Sequence, residues 1–180
     1  MGIPTLIATN SITSAVSASV FTSGIDSTYD EYMIVFTGIV LGNQNEFMFD
    51  GSTDGGSNYG ITKTTTYFSS VHSEDDSSHA EVSYKTAKDL AQSTAGQHLT
   101  KELENHSDDG ASGIVHLFSP SNTTYVKHFY ARTNCHSTSN ATHDAFIAGY
   151  FNTTSAINAL EFKQGGGNIN SGIIQLYGIA

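Results

Sequence analysis

Tryptophan is absent from the 180 residues, cysteine and arginine occur once each, and there are only two prolines. The lone Cys135 excludes an intrachain disulfide, and a chain of this length buries a core without one. The lack of tryptophan removes the commonest platform for stacking a sugar and leaves that task to tyrosine and phenylalanine. Basic residues are scarce: 7 Lys and Arg against 17 Asp and Glu give a formal charge of -10, with Arg132 the sole arginine. A protein that neutralises phosphates needs a basic stripe, so direct contact with nucleic acid is not expected. No apolar run approaches the length that spans a bilayer, and no basic-then-apolar secretory pattern opens the chain. Neither membrane insertion nor a signal peptide is therefore expected.

What fills the polar surface instead is Ser, Thr, Asn and Gly, since charged residues make up only 13% of the chain. These are poor helix formers, and Thr favours strands. Strand patterns recur at short intervals. Ile12, Val16, Ala18 and Val20 alternate with Thr13, Ser17 and Ser19, which reads as one half-buried strand over Ile12–Val20. Tyr32–Val40 is a continuous apolar run suited to a central strand, and Phe47–Phe49 after Gly42-Asn43 suggests a hairpin. Further strands are expected at Tyr59–Phe68, Ala80–Tyr84, Gly113–Phe118, Tyr125–Arg132, Ala145–Phe151, Ile157–Lys163 and Ile173–Ile179. Pro4 and Pro120 both fall outside strand interiors. Leu99, Lys101 and Leu103 alternate with polar neighbours, so 97–104 reads as a strand and 85–96 as a loop or one short helix. The expected fold is all-β: a single antiparallel, jelly-roll-like β-sandwich over 12–180, preceded by a 1–11 arm or edge strand.

Several constellations invite a chemical reading. Asp50, Ser52, Asp54 and Gly55 have the spacing of a calcium loop, but its twelfth position is Ile61 where a bidentate acid is required. Asp and Gly at such density otherwise form a tight turn. His128, His136 and His143, with Cys135 and Asp144, are metal-ligating types, yet the gaps between them exceed those of metal motifs. His116 and His128 fall on candidate neighbouring strands. Ser112 and Ser171 lie in turns rather than a nucleophile elbow, and Asp75-Asp76 and Asp108-Asp109 sit in polar loop tips. Gly165-Gly166-Gly167 precedes a strand, whereas a phosphate cradle precedes a helix. The sequons at Asn105, Asn122, Asn140 and Asn152 are ordinary in so Asn-, Ser- and Thr-rich a chain. No catalytic, cofactor-binding or metal residue is assigned, and no enzyme activity is expected.

Resemblances enter at specific segments. Ser52-Thr-Asp-Gly-Gly-Ser-Asn-Tyr59 resembles the Asp box found on β-hairpins of sialidases and many secreted β-proteins, where the aspartate organises the turn. Asp26–Phe36, that same segment, Gly113–Pro120, Gly149–Ile157 and the closing Ile157–Phe162 and Gly172–Ile179 follow one another in an order similar to small virion proteins of tailed bacteriophages, particularly aquatic ones. The resemblance spans roughly residues 10–180, apart from the polar 69–110 stretch. It implies a jelly-roll-like sandwich exposed on the virion as a tail, fibre or capsid-decorating component. It also implies assembly as a homo-oligomer such as a trimer, contact with other virion proteins, and loops able to meet a host-surface glycan.

A carbohydrate-binding β-sandwich module is the rival expectation. It requires an aromatic and polar patch on one sheet face, for instance around Tyr59, Tyr67 and Phe68 or around Tyr125 and Tyr130.

Overall fold

The computed structural model describes residues 2–104 and 109–180. In chain order the strands are β1 (Thr5–Ile12), β2 (Ala18–Phe21), β3 (Glu31–Leu41), β4 (Phe47–Ser52), β5 (Lys63–Ser73) and β6 (Ala80–Tyr84). They continue as β7 (Gln97–His98), β8 (Ala111–Phe118), β9 (Lys127–Ser137), β10 (Ala141–Phe151), β11 (Ala159–Gln164) and β12 (Ile169–Ile179). No helix occurs among the described residues. Eight strands form one sheet in the order β1-β12-β3-β8-β9-β10-β5-β6, and four form the other in the order β2-β11-β4-β7. All pairings are antiparallel, and the two sheets pack as a β-sandwich.

The period-two alternation of the sequence sets which side chains lie between the sheets. Along β9, Phe129, Ala131, Thr133 and Cys135 are buried while His128, Tyr130, Arg132 and Asn134 point outward. Along β3, Tyr32, Ile34 and Phe36 turn inward. The sheets are joined by aromatic contacts. Phe49 from the small sheet meets Phe129 at 5.0 Å and Phe151 at 6.0 Å, both edge-on from the large sheet. Phe47 meets Phe36 at 5.2 Å. Each such ring contributes about 1.5–3 kcal/mol by burial, with edge-to-face geometry adding to that.

Several expected strands are drawn differently. The Ile12–Val20 strand is broken: Ile12 ends β1 in the large sheet, and Ala18 begins β2 in the small one. The expected alternation inverts after the break: Ser19 and Phe21 are the buried residues of β2 and Val20 is exposed, while Val16 bonds Ile169 through both backbone groups at 3.0 and 2.8 Å. Phe47–Phe49 does not form a hairpin with the preceding strand, because β3 and β4 lie in opposite sheets. The same is true of the last two strands: β11 belongs to the small sheet and β12 to the large. These two crossovers run side by side and bond each other, through Gly42 N to Asn168 O at 2.7 Å and Gly165 N to Glu46 O at 3.2 Å.

Residues 97–104 form only the two-residue β7 and a bridge between Leu103 and Asn45; Leu99 and Leu103 are nonetheless core. The preceding 85–96 segment is a loop with a turn at Lys85–Asp89. Strands β9 and β10 run longer than expected, since the inward series Cys135, Ala141 and His143 extends the alternation at their shared turn. Strand β5 starts at Lys63, four residues after Tyr59, and ends at Ser73. Thr5–Ile12, within the segment read as arm or edge strand, is the outer strand of the large sheet and pairs along β12. Asn105 and Asp108 lie outside the described residues, as does Met1.

Candidate functional site

The outward side chains of the large sheet line up across strands. Ile114, Arg132, Phe146, Phe68 and Tyr84 are successive register partners over β8, β9, β10, β5 and β6. The neighbouring row runs Met33, His116, Tyr130, Ala148, Thr66, and beyond it stand His128, Tyr150 and Thr64. Side chains directly opposite in a sheet touch, so these rows form a continuous aromatic surface. His116 stacks on Tyr130 with centroids 4.6 Å apart, and Phe118 lies 5.6 Å from Tyr130. Exposure remains high: Phe68 is 42% exposed, Tyr130 46% and Tyr84 51%.

The charges on this face are paired. Arg132 donates to both oxygens of Asp144, at 3.2 and 2.8 Å, while its guanidinium lies 4.9 Å from the Phe146 ring. His116 Nδ1 and Glu31 Oε1 are 2.5 Å apart. The face therefore presents rings and hydroxyls with little net charge, which favours an uncharged or apolar partner over an ionic one.

At its centre the row dips. Ala148 stands between Tyr130 and Thr66, and the small side chain opens a shallow depression of about 430 Å³ bordered by Phe118, His128, Tyr130 and Tyr150. Gly149 behind it is required by close approach: a Cβ there would stand 2.5 Å from Thr65 Cγ2 and 2.6 Å from the Thr64 carbonyl.

The structure sorts the residues singled out in the sequence. Phe68 and Tyr130 belong to this face, whereas Tyr67 is buried between the sheets and Tyr59 lies in the loop after β4. Tyr125 is exposed in the loop before β9. The histidine set is split between the faces of the sheet. Cys135 and His143 are cross-strand neighbours turned inward, while His128 and Asp144 point outward. Burial pushes the Cys135 thiol up to about 12 and holds His143 down at about 4. His136 pairs instead with Asp109 at 2.5 Å and Glu74 at 3.4 Å. His116 and His128 do not face each other, because His116 is opposite Tyr130 and His128 opposite Tyr150. Among the described residues, no group of three or more His, Cys, Asp or Glu side chains is placed to hold a metal ion.

The Asp54 segment is a turn, though it connects β4 to β5 across the sandwich and is not a hairpin. Asp54 Oδ1 accepts from Ser52 Oγ at 2.6 Å and Asn58 N at 2.9 Å, and Oδ2 accepts from Asn58 Nδ2 at 2.7 Å. These donors hold its carboxyl down at about 2. Gly56, at φ 88°, completes the turn in a conformation that side chains disfavour. Asp75 does comparable work at the β5–β6 turn, accepting from Ser73, Ser77 and Ser78, while Asp76 stands 3.1 Å from His72. Ser112 Oγ accepts from Gly38 N at 3.1 Å, and Ser171 lies within β12. Gly165–Gly167 forms the β11–β12 crossover. Asn122 caps a turn by accepting from the Thr124 and Tyr125 amides, and Asn140 occupies the β9–β10 turn at φ 47°.

Sequence reasoning passed over Phe146, Tyr150 and Phe118 as face residues. The signal was present in the alternation: in β10 Phe146 and Tyr150 fall between the inward Ala145, Ile147 and Phe151, and in β8 Phe118 follows the inward Leu117. It also passed over the pairing of Asp50 with Lys63, whose side chains meet only because β4 and β5 approach across the sandwich. Comparison with protein-family models, with curated proteins and with solved structures finds no match to this chain.

Proposed function

We propose that the chain is a non-enzymatic virion protein of a tailed bacteriophage, exposed on the particle as a tail, fibre or capsid-decorating component, and that it acts by assembling with copies of itself. The observation that carries the assembly part is the aromatic ladder on the outer face of the large sheet, from Ile114 to Tyr84. A contiguous exposed apolar surface of this kind marks an interaction site in soluble proteins. The order of strand-and-turn segments supports the virion part, and the acidic surface, rich in uncharged hydroxyls and amides, suits a protein displayed in solvent at high copy number. Sedimentation of the purified chain tests the assembly: an oligomer is expected, and a monomer at tens of micromolar would overturn it. Antibody labelling of phage particles that carry the chain tests the location.

A second reading is favoured by one feature, the Ala148 depression. Its rim of Tyr130, Tyr150 and Phe118, with Thr64 and Thr66 hydroxyls beside them, offers a ring face and polar groups to a neutral sugar. Glycan-array binding that is lost in Tyr130→Ala, with the oligomer intact, would establish the chain as a carbohydrate-binding module.

A further inference from the structure

Lys63 opens β5 with its side chain turned between the sheets, and Asp50 lies near the end of β4 in the opposite sheet. Their side chains are 0% and 3% exposed, and Lys63 Nζ stands 2.6 Å from Asp50 Oδ1. Lys63 Nζ also donates to the Ile61 carbonyl at 2.8 Å and lies 5.3 Å from the centre of the Phe151 ring. The Gly51 amide donates to Asp50 Oδ1 at 2.7 Å. Burial outweighs attraction for both partners: it pushes the Asp50 carboxyl up and the Lys63 ammonium down, each toward its neutral form. Attack of the amine on that carboxyl calls for the neutral amine and the protonated acid, the forms toward which burial moves each.

Glu161 is the register partner of Asp50 across β11 and β4, so the two side chains share a face with Cβ atoms roughly 5 Å apart. Glu161 Oε2 is buried and pairs with Lys163 Nζ at 2.5 Å. The Tyr59 hydroxyl is also buried without a hydrogen-bond partner among the described residues, and it feels the charges of Glu161, Asp54 and Asp50. A simple structural ion pair requires neither a second acid at its side nor a buried hydroxyl without a hydrogen bond beside it.

We propose that Lys63 and Asp50 join in an intramolecular isopeptide bond, formed within the folded chain, with Glu161 transferring the proton. The Nζ lone pair attacks Asp50 Cγ, and a new Nζ–Cγ bond forms. Glu161 takes a proton from the nitrogen and delivers it to the departing hydroxyl. The Cγ–Oδ2 bond then breaks and one water leaves, so atoms balance with no oxidant or co-substrate. Gly51 N–H holds Oδ1, the oxygen that carries negative charge in the tetrahedral intermediate and becomes the amide carbonyl. Exclusion of water from the site favours the amide over its hydrolysis. The product ties the small sheet to the large one, a covalent brace that the single thiol of Cys135 cannot provide.

Intact-mass spectrometry of the purified, denatured chain tests this. The expected mass is about 18 Da below that of the sequence, the mass of the water lost when an amine acylates. Proteolysis is expected to release a branched peptide joining the Asp50 and Lys63 segments. Asp50 precedes Gly51, and closure of an Asp-Gly pair to a succinimide loses the same mass, so the branched peptide is decisive. The full sequence mass, or a loss confined to a linear Asp50-Gly51 peptide, would overturn the proposal. Lys63→Arg is expected to abolish the loss. Since leaving one buried charge alone destabilises a fold, Glu161→Gln serves as the second variant, keeping both reacting groups. It is expected to fold with an unchanged circular dichroism spectrum and to link at least about tenfold more slowly, the contribution of a lost proton-transfer group. Undiminished linking in Glu161→Gln would overturn the role of Glu161.

Discussion

Phe146 of β10 lies parallel to Phe68 of β5, with ring centroids 4.9 Å apart and planes inclined by 3°. Arg132 covers Phe146 at 4.9 Å, so guanidinium and two rings form one stack on a surface that faces solvent. A stacked aromatic pair adds about 0.5–1.5 kcal/mol to stability beyond its burial, which is small for so much exposed apolar surface. The stack therefore adds little to the isolated fold, and the proposed assembly is what would use it.

Removing the stack separates those two roles. Phe146→Ser and Phe68→Ser are each expected to lower unfolding stability by no more than about 1.5 kcal/mol in urea titrations. The same variants are expected to raise the self-association midpoint at least about tenfold in sedimentation equilibrium, as loss of an aromatic anchor does at interfaces. Wild-type association in both variants would remove this face from the assembly.

Phe49 is the internal contrast. It contacts Phe129, Phe151 and Phe162, and its own residue is 1% exposed. Phe49→Ala leaves a cavity between the sheets and is expected to cost about 3–5 kcal/mol of unfolding free energy, read from the urea midpoint at unchanged slope.

Acid should weaken the fold through a buried imidazole. His143 is held down at about 4, first by burial and then by Lys101, Lys85 and His79. Between its ordinary value near 6.5 and about 4, the unfolded chain binds the proton and the folded chain does not. Stability contributed by neutral His143 is thus complete above about pH 6.5, falls as pH drops through this window, and levels below about 4, a loss on the order of 3 kcal/mol. Burial shifts His98 in the same direction and adds to the slope. His143→Leu is expected to flatten thermal stability between pH 6.5 and 4 in part, and an unchanged slope would assign the effect elsewhere.

Much of the fold was legible in the alternation of single strands. Tyr32–Val40, read from its continuous apolar run, and Gly113–Phe118 fall in β3 and β8, where packing between sheets acts on every second side chain, and Ala80–Tyr84 is β6 although none of its side chains is buried. What alternation does not encode is which sheet a strand joins. Ile12–Val20 loses its pattern at the break, because β2 joins the other sheet with Ser19 and Phe21 turned inward and Val20 left outside. Gly42-Asn43 and Gly165–Gly167 are good turn sequences, yet the chain uses them to cross the sandwich, a choice fixed by remote pairings such as β12 with β3 and β11 with β4. The candidate face was partly legible. Phe68 and Tyr130 were named, but Tyr67 and Tyr59 were grouped with them although the pleat sends Tyr67 to the core. The Lys63–Asp50 contact was illegible, since it depends on the approach of two sheets.

The pairing of β1 with β12 sets an order of events during synthesis. Residues 5–12 find their strand partner in residues 172–178, so the outer strand waits without its ladder until residue 178 has left the ribosome. Such distant closure makes folding slow and keeps a sticky edge open in the meantime. The interval belongs to the half-made protein, in which Leu6 and the backbone around it are free to meet a neighbouring chain before they meet their own.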